Sequence, residues 1–172
     1  MSKKFIRLLA TGFIVFAFGF LLTKIVTAVS EKKKVQEAVA RFQPLTGYQN
    51  GKPATFTNVN STQPYLLLAY LDTDCDHCRY MLQQFDAHQE QFSNCNLLLI
   101  LKGADTTVQR LQQEFDAAPS TTVQFMQDKE GTIKKGLGVK GVPHFFIYKQ
   151  TGELLAAKQG ETRIENLLKL MP

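Results

Sequence analysis

Two uninterrupted apolar runs, Tyr65 to Leu71 (YLLLAYL) and Asn96 to Leu101 (NLLLIL), limit the architecture of this chain more than any other feature. Each is short for a buried helix and lacks the alternation of a strand with one wet face, so each reads as a strand buried on both sides. Between them Cys78, Met81, Leu82, Phe85 and Phe92 recur three, four or seven residues apart, which marks a helix packed by one face from about Asp76 to Phe92. After the second run, Asp105 can cap a helix carrying Val108, Leu111 and Phe115, and Pro119 closes it before a strand expected at Thr122 to Met126. The order β-α-β-α-β means parallel strands joined by right-handed crossovers.

Beyond a short helical piece near Glu130 to Leu137 the pattern changes. His144 to Tyr148 and Leu154 to Lys158 flank Lys149-Gln150-Thr151-Gly152, a turn-rich connector of hairpin length, so the last two strands are expected to be antiparallel. A terminal helix follows, with capping-box spacing at Thr162-Arg163-Ile164-Glu165 and a buried face of Ile164, Leu167, Leu168 and Met171. Upstream, Gly47 to Pro64 is rich in turn residues around a short strand near Ala54 to Val59. The fold class is therefore α/β, a central mixed sheet flanked by helices, in one domain at residues 51–172.

Residues 1–30 read as a membrane segment. From Leu8 to Leu22 the chain carries no charge, and the apolar stretch reaches Val29 if Lys24 extends its amine toward the headgroups. That extension reaches the ~20 residues of a spanning helix and favours a retained anchor through residues 8–29. Val26-Thr27-Ala28 also offers small or tolerated residues at which a signal peptidase can cut, and cleavage would release a secreted domain. Lys3, Lys4 and Arg7 favour a cytoplasmic N-terminus, while Lys32 to Lys34 and Arg41 argue the opposite way. A short basic tail before an apolar run has the form of an export signal, so the domain is expected on the extracytoplasmic side, in the periplasm or at the outer face. Residues 31–50 form a stalk and linker, with Val35, Ala38, Val39 and Phe42 at helical spacing from Glu31 to Phe42. The net charge of +5 is modest and its lysines cluster at the apolar segment, which suits a bilayer and not nucleic acid.

Three cysteines are too few for a disulfide-stapled scaffold, and two of them form a C-x-x-C, Cys75-Asp76-His77-Cys78. Placed after a buried strand and at a helix start, Cys75 stands at the positive end of the helix dipole, where its thiolate is favoured. The two-residue spacer brings Cys78 within disulfide reach and buries it a turn deeper, so Cys75 can attack and Cys78 can resolve the mixed disulfide. Half of a zinc site is the alternative, but there is no second C-x-x-C, and His77, His88 and His144 are the only histidines. Cys75, Cys78 and His144 define a rival function, a copper-binding metallochaperone-like module, because soft thiolates suit the cuprous ion. Asp74 and Asp76 repel a thiolate and His77 stabilises it, so these three tune the pair in opposing directions and leave reductase against oxidase open. Helix-start capping is the other role open to Asp74 and Asp76. Cys95 reads as a buried, inert thiol, with a regulatory or intermolecular disulfide as the alternative.

YLLLAYLDTDCDHC, then GVKGVPHFFIYKQTGEL some 60 residues later, then a terminal amphipathic helix, resembles the thioredoxin superfamily. With GKPATF ahead of it and the apolar N-terminal segment, the chain is most similar to the TlpA/ResA-type membrane-anchored thiol-disulfide oxidoreductases, over roughly Gly51 to Met171. The resemblance implies a thioredoxin fold and a cis peptide before Pro143, with Val142 beside the sulfurs to bind a substrate strand. It also implies protein thiol and disulfide substrates and a membrane thiol relay as electron partner, with the redox-active disulfide in place of an organic cofactor. The chain departs from the family in three places. The aromatic residue before the first cysteine is Asp74, the buried acid six residues before that cysteine is Ala69, and the glutamate three after the second cysteine is Met81. Both familiar proton-handling groups are thus missing from their usual positions.

Overall fold

The computed structural model describes residues 3–57, 62–116 and 123–171, without the side chains of 3–15, 17, 31 and 32. The chain divides into two units, Met1–Glu37 and Ala38–Pro172. The described residues of the first lie within a single helix, α1 (Lys3–Val39), on which Phe16, Phe18, Phe20, Leu21, Ile25, Val26 and Val29 are exposed. The expected membrane span at residues 8–29 falls partly, at 8–15 and 17, outside the described side chains; among the described residues no helix is long and apolar enough to cross a membrane. The helical stalk expected up to Phe42 ends at Val39.

The second unit is built on seven strands in the order β2-β1-β5-β4-β3-β6-β7. They are β1 (Leu45–Gln49), β2 (Lys52–Phe56), β3 (Tyr65–Asp72), β4 (Cys95–Lys102), β5 (Val123–Gln127), β6 (His144–Lys149) and β7 (Leu154–Gln159). The expected crossovers are present: β3 runs parallel to β4 over eight residue pairs from Tyr65↔Cys95 to Asp72↔Lys102, and β4 parallel to β5. The two apolar runs are the sheet's centre because helices cover both faces, and each fully buried leucine there contributes roughly 1.5–3 kcal/mol. Turn Lys149–Gly152, closed by Gly152 N–H to the Lys149 carbonyl at 2.8 Å, makes β6 and β7 antiparallel as expected, with a bulge at Ile147/Tyr148.

Alternation along β3 and β6 separates two cores. Leu67, Ala69, Leu71, Phe145 and Ile147 face one side, with Cys78, Met81 and Phe85 of helix α2 (Asp76–Ala87). Leu66, Leu68, Tyr70, Phe146 and Tyr148 face the other, with Ile133 of α4 (Thr132–Gly136). On that second face the buried Asp128 carboxylate accepts from the Tyr70 hydroxyl (2.8 Å) and from the Ile133 and Lys134 amides (3.2 and 2.9 Å). A buried acid with that many donors pins α4 to the sheet.

Several local expectations are corrected. Helix α2 stops at Ala87, and Gln89–Phe92 is a separate 3-10 turn. His88 Nδ1 lies 2.9 Å from the Gln84 carbonyl, the acceptor its own amide would use to continue the helix. Phe92 is nevertheless buried against Phe85, ring centroids 5.4 Å apart, which is what its spacing required. The terminal helix α5 (Ile164–Leu168) has Arg163 at its N-cap and no side-chain cap, and the Thr162 hydroxyl is buried without a hydrogen-bond partner, so the capping box does not form. Strand β1 was not anticipated. It pairs with β2 over five residue pairs and with β5 at Tyr48↔Gln127. The compact unit begins at Ala38, so residues 38–50 of the segment read as stalk and linker supply Val39 and Leu45 to the core. Val59 and Pro119 lie outside the described residues, and α3 runs from Asp105 to Asp116. Asp105 uses its carboxylate on Gln127 Nε2 (2.8 Å) and Lys129, tying α3 to the end of β5.

Candidate active site

The site lies where β3 gives way to α2. Asp72 ends the strand, and its carbonyl accepts the Cys75 amide at 3.2 Å, closing a tight turn. The Cys75 carbonyl then accepts the first intrahelical bond, from Arg79 N–H at 3.0 Å, so Cys75 is the N-cap of α2. Its side chain makes no capping bond, which leaves the sulfur at the positive end of the helix, beside donors that have no helical partner. The turn is held from below: Thr73 is buried, its amide donates to the Lys102 carbonyl at 2.9 Å, and a Cβ on Gly103 would fall 2.0 Å from the Thr73 hydroxyl. Only glycine allows that approach.

Cys75 is half-buried and Cys78 has no exposed surface. Burial pushes the Cys78 thiol up to about 12, a hydrogen bond with the Asp72 backbone works the other way, and its hydrogen bond with Cys75 adds to the rise. Cys78 shares its core with Ala69 and Met81, so the two positions at which the resemblance to the oxidoreductases implies acids are apolar wall here.

The antiparallel register of β3 and β6 delivers the second part of the site. Its pairs run from Tyr65↔Lys149 to Tyr70↔His144, so the next residues, Pro143 and Val142, arrive beside Leu71 and Asp72, where the cysteine turn begins. The Val142–Pro143 peptide is cis, as expected. Pro143 is buried and Val142 half-buried, packed like Cys75 against the core that contains Cys78. Such an arrangement can place a peptide strand over Cys75 while Cys78 waits beneath.

The structure does not bring every candidate together. His144 stacks on Phe146, with centroids 4.6 Å apart and an interplanar angle of 8°, opposite Tyr70 on the second face of the sheet, whereas Cys78 belongs to the first. Burial holds the His144 imidazole below its ordinary range, offset in part by a backbone hydrogen bond with Gly141. Among the described residues no cluster of three or more His, Cys, Asp or Glu side chains could hold a metal ion. Asp76 pairs with Arg79, and the Asp74 amide donates to Asp72 Oδ1 at 3.1 Å; neither aspartate caps α2. His77 Nδ1 lies 2.6 Å from Glu161 Oε2. Glu161 is the one participant for which the sequence carries no signal, because its partner is 84 residues away. Cys95 begins β4, buried, its thiol pushed up to about 12 by burial.

A dithiol at a helix start, facing an X-Pro turn on a mixed sheet, defines a protein of the thioredoxin-fold class. The chain belongs to the thioredoxin-like domain family, whose match runs over residues 52–172. No curated protein matches the sequence. Among solved structures it resembles StoA from Bacillus subtilis (TM-score 0.55, 18% identity, 77% of this chain and 99% of that one). It also resembles a secreted Mycobacterium tuberculosis disulfide oxidoreductase homologous to Escherichia coli DsbE (0.59, 15%, 78% and 96%). A thioredoxin-like protein from Aeropyrum pernix is a third (0.58, 15%, 86% and 98%). At these identities the likeness is one of fold.

Proposed function

We propose that this chain exchanges dithiols and disulfides with exported proteins through Cys75 and Cys78, held at an extracytoplasmic membrane face by its N-terminal segment. The observation that carries the reading is the half-buried Cys75 at the N-cap of α2, above a fully buried Cys78 and beside the cis Val142–Pro143 turn. In the reducing direction the Cys75 thiolate attacks a substrate disulfide, forming one S–S bond and releasing one substrate thiol. Cys78 then attacks Cys75, releases the second thiol and leaves the Cys75–Cys78 disulfide; two electrons and two protons pass to the substrate. The oxidising direction is the reverse, and the electron partner, read as a membrane thiol relay, resets the pair. The electrons travel on sulfur, with no organic cofactor in either step.

Mixed-disulfide trapping tests the division of labour. Cys78→Ser leaves attack intact and removes the escape route, so dithiothreitol-sensitive adducts should accumulate on non-reducing gels, while Cys75→Ser should form far fewer. Equal trapping by the two variants would refute the assigned roles. Placement is tested by fusing after Pro172 a reporter active only outside the cytoplasm. Signal is expected, and signal only from a cytoplasm-restricted reporter would overturn the anchored, exported reading.

A further inference from the structure

His77 stands between the two cysteines in sequence, and its side chain is 70% exposed, yet its Nδ1 is 2.6 Å from the Glu161 carboxylate. Glu161 follows Gly160, whose amide donates to the Pro143 carbonyl at 2.8 Å. Gln159, just before, lies against Gly141: a Cβ there would meet Gln159 Nε2 at 2.5 Å. Residues 159–161 therefore touch both the turn that carries Pro143 and the helix start that carries the cysteines. An exposed carboxylate–imidazole pair stabilises a fold very little. Its effect is on the ring. A carboxylate only accepts, so the hydrogen between them sits on Nδ1, and Nε2 is the nitrogen that gains and loses the other proton.

We infer that Glu161 is a positioning residue of the exchange site, holding the His77 ring by Nδ1–H so that Nε2 carries the proton moved when Cys75 attacks. The inference rests on the exchange reading above and deepens it. Cys75 must lose a proton before attack, and the departing substrate sulfur must gain one. Nε2 takes the first and returns the second, so the imidazole is unchanged by the first exchange; Cys78 then loses its own proton as it attacks Cys75 and the second substrate sulfur gains one, by which point two electrons and two protons have passed from the cysteines to the substrate disulfide. A relay at the mouth of the site suits a protein whose interior wall around Cys78 is Ala69 and Met81, with no acid of its own. The other charged or titratable groups carried by or next to the three segments are Asp72, Asp74, Asp76 and Arg79 at the helix start, Lys140 and His144 on either side of the Val142–Pro143 turn, and Lys158 and Arg163 on either side of Glu161. Asp76 and Arg79 are paired with each other, and among the described residues Glu161 is the ion-pair partner of His77.

The test uses the full chain, wild type against Glu161→Gln, His77→Ala and the double variant. Nitrogen-15 spectra of the imidazoles should place the neutral His77 hydrogen on Nδ1 in the wild type and weaken that preference in Glu161→Gln, whose amide can either accept from Nδ1–H or donate to Nδ1. With glutathione disulfide as the probe, Glu161→Gln should slow oxidation of the dithiol by roughly tenfold, short of the ~10²–10⁴ of a whole acid–base group. It should also flatten the pH dependence of the rate, leave the thermal midpoint nearly unchanged, and add nothing to His77→Ala in the double variant. A wild-type His77 hydrogen on Nε2, an unaltered rate and pH profile in Glu161→Gln, or additive losses would each overturn this inference alone. A wild-type rate equal to that of Cys75→Ser would instead overturn the exchange reading beneath it, and this inference with it.

Discussion

Cys78 and Cys95 are alike by the usual measures of a cysteine's surroundings. Both are buried on the same face of the sheet, and burial pushes both thiols up to about 12. They differ in what stands next to them. Cys78 lies one turn into a helix and is hydrogen-bonded to a second sulfur that is half-exposed at the helix start; Cys95 opens a strand, registered against Tyr65 in the next one. Burial thus makes a thiol quiet without saying whether it is idle or waiting. In the proposed exchange the resolving cysteine needs little thiolate of its own, because its target, the Cys75 sulfur of a mixed disulfide, would be held within reach and the effective concentration would replace reactivity.

Turnover should break the symmetry most strongly. Cys78→Ala should abolish repeated turnover in a disulfide-reduction assay, whereas Cys95→Ala should retain it, since the proposed exchange assigns Cys95 no step. Loss of turnover in Cys95→Ala with folding intact would erase the distinction. In urea unfolding the same two variants should look alike: each removes one buried sulfur from a packed core, at a cost of about 1 kcal/mol.

A further difference lies in alkaline stability. An unfolded thiol titrates near ~8.5 and these two near 12, so above the lower value the unfolded chain binds fewer protons than the folded one. Their contribution is therefore complete below that pH and declines as pH rises toward 12. The decline should be steepest in the reduced wild type and shallower in the Cys75–Cys78 disulfide form, which has no Cys78 thiol. It should be shallowest in oxidised Cys95→Ala. Identical slopes in all three, measured by urea midpoints across this range, would show that burial is not what raises the two thiols.

Much of the domain could be read from the residues because its strongest signals are local. YLLLAYL and NLLLIL need no partner to declare themselves strands, and the C-x-x-C and Val142-Pro143 mark the ends of the elements that meet at the site. Strand β1 was hidden for a physical reason: its inward positions are Leu45 and Gly47, and a glycine leaves a gap in the alternation. That glycine is needed, since a Cβ there would come within 2.8 Å of the Gln127 carbonyl oxygen and Met126 Cγ. The expected capping box at Thr162 failed because the spacing of a motif says nothing about where the hydroxyl points once Ile164 and Leu167 are packed. Glu161 could not be found because a contact between an exposed histidine and a distant acid has no periodicity to betray it.

The order of the strands has one more consequence. An open sheet, unlike a barrel, ends in two edge strands, here β2 and β7, and an edge is a template on which a foreign chain can grow; on β7 the Leu154 amide is already taken by the Ala40 carbonyl at 3.0 Å, beside the Arg41–Glu153 bridge. In β2 the sequence Lys52-Pro53 puts a charge and a residue without an amide hydrogen on the rim. At the opposite rim the bulge between β6 and β7 breaks the even pairing, and β7 carries Lys158. Both borders thus discourage fibril-like growth, a useful property in a protein proposed to meet exported chains at its own surface.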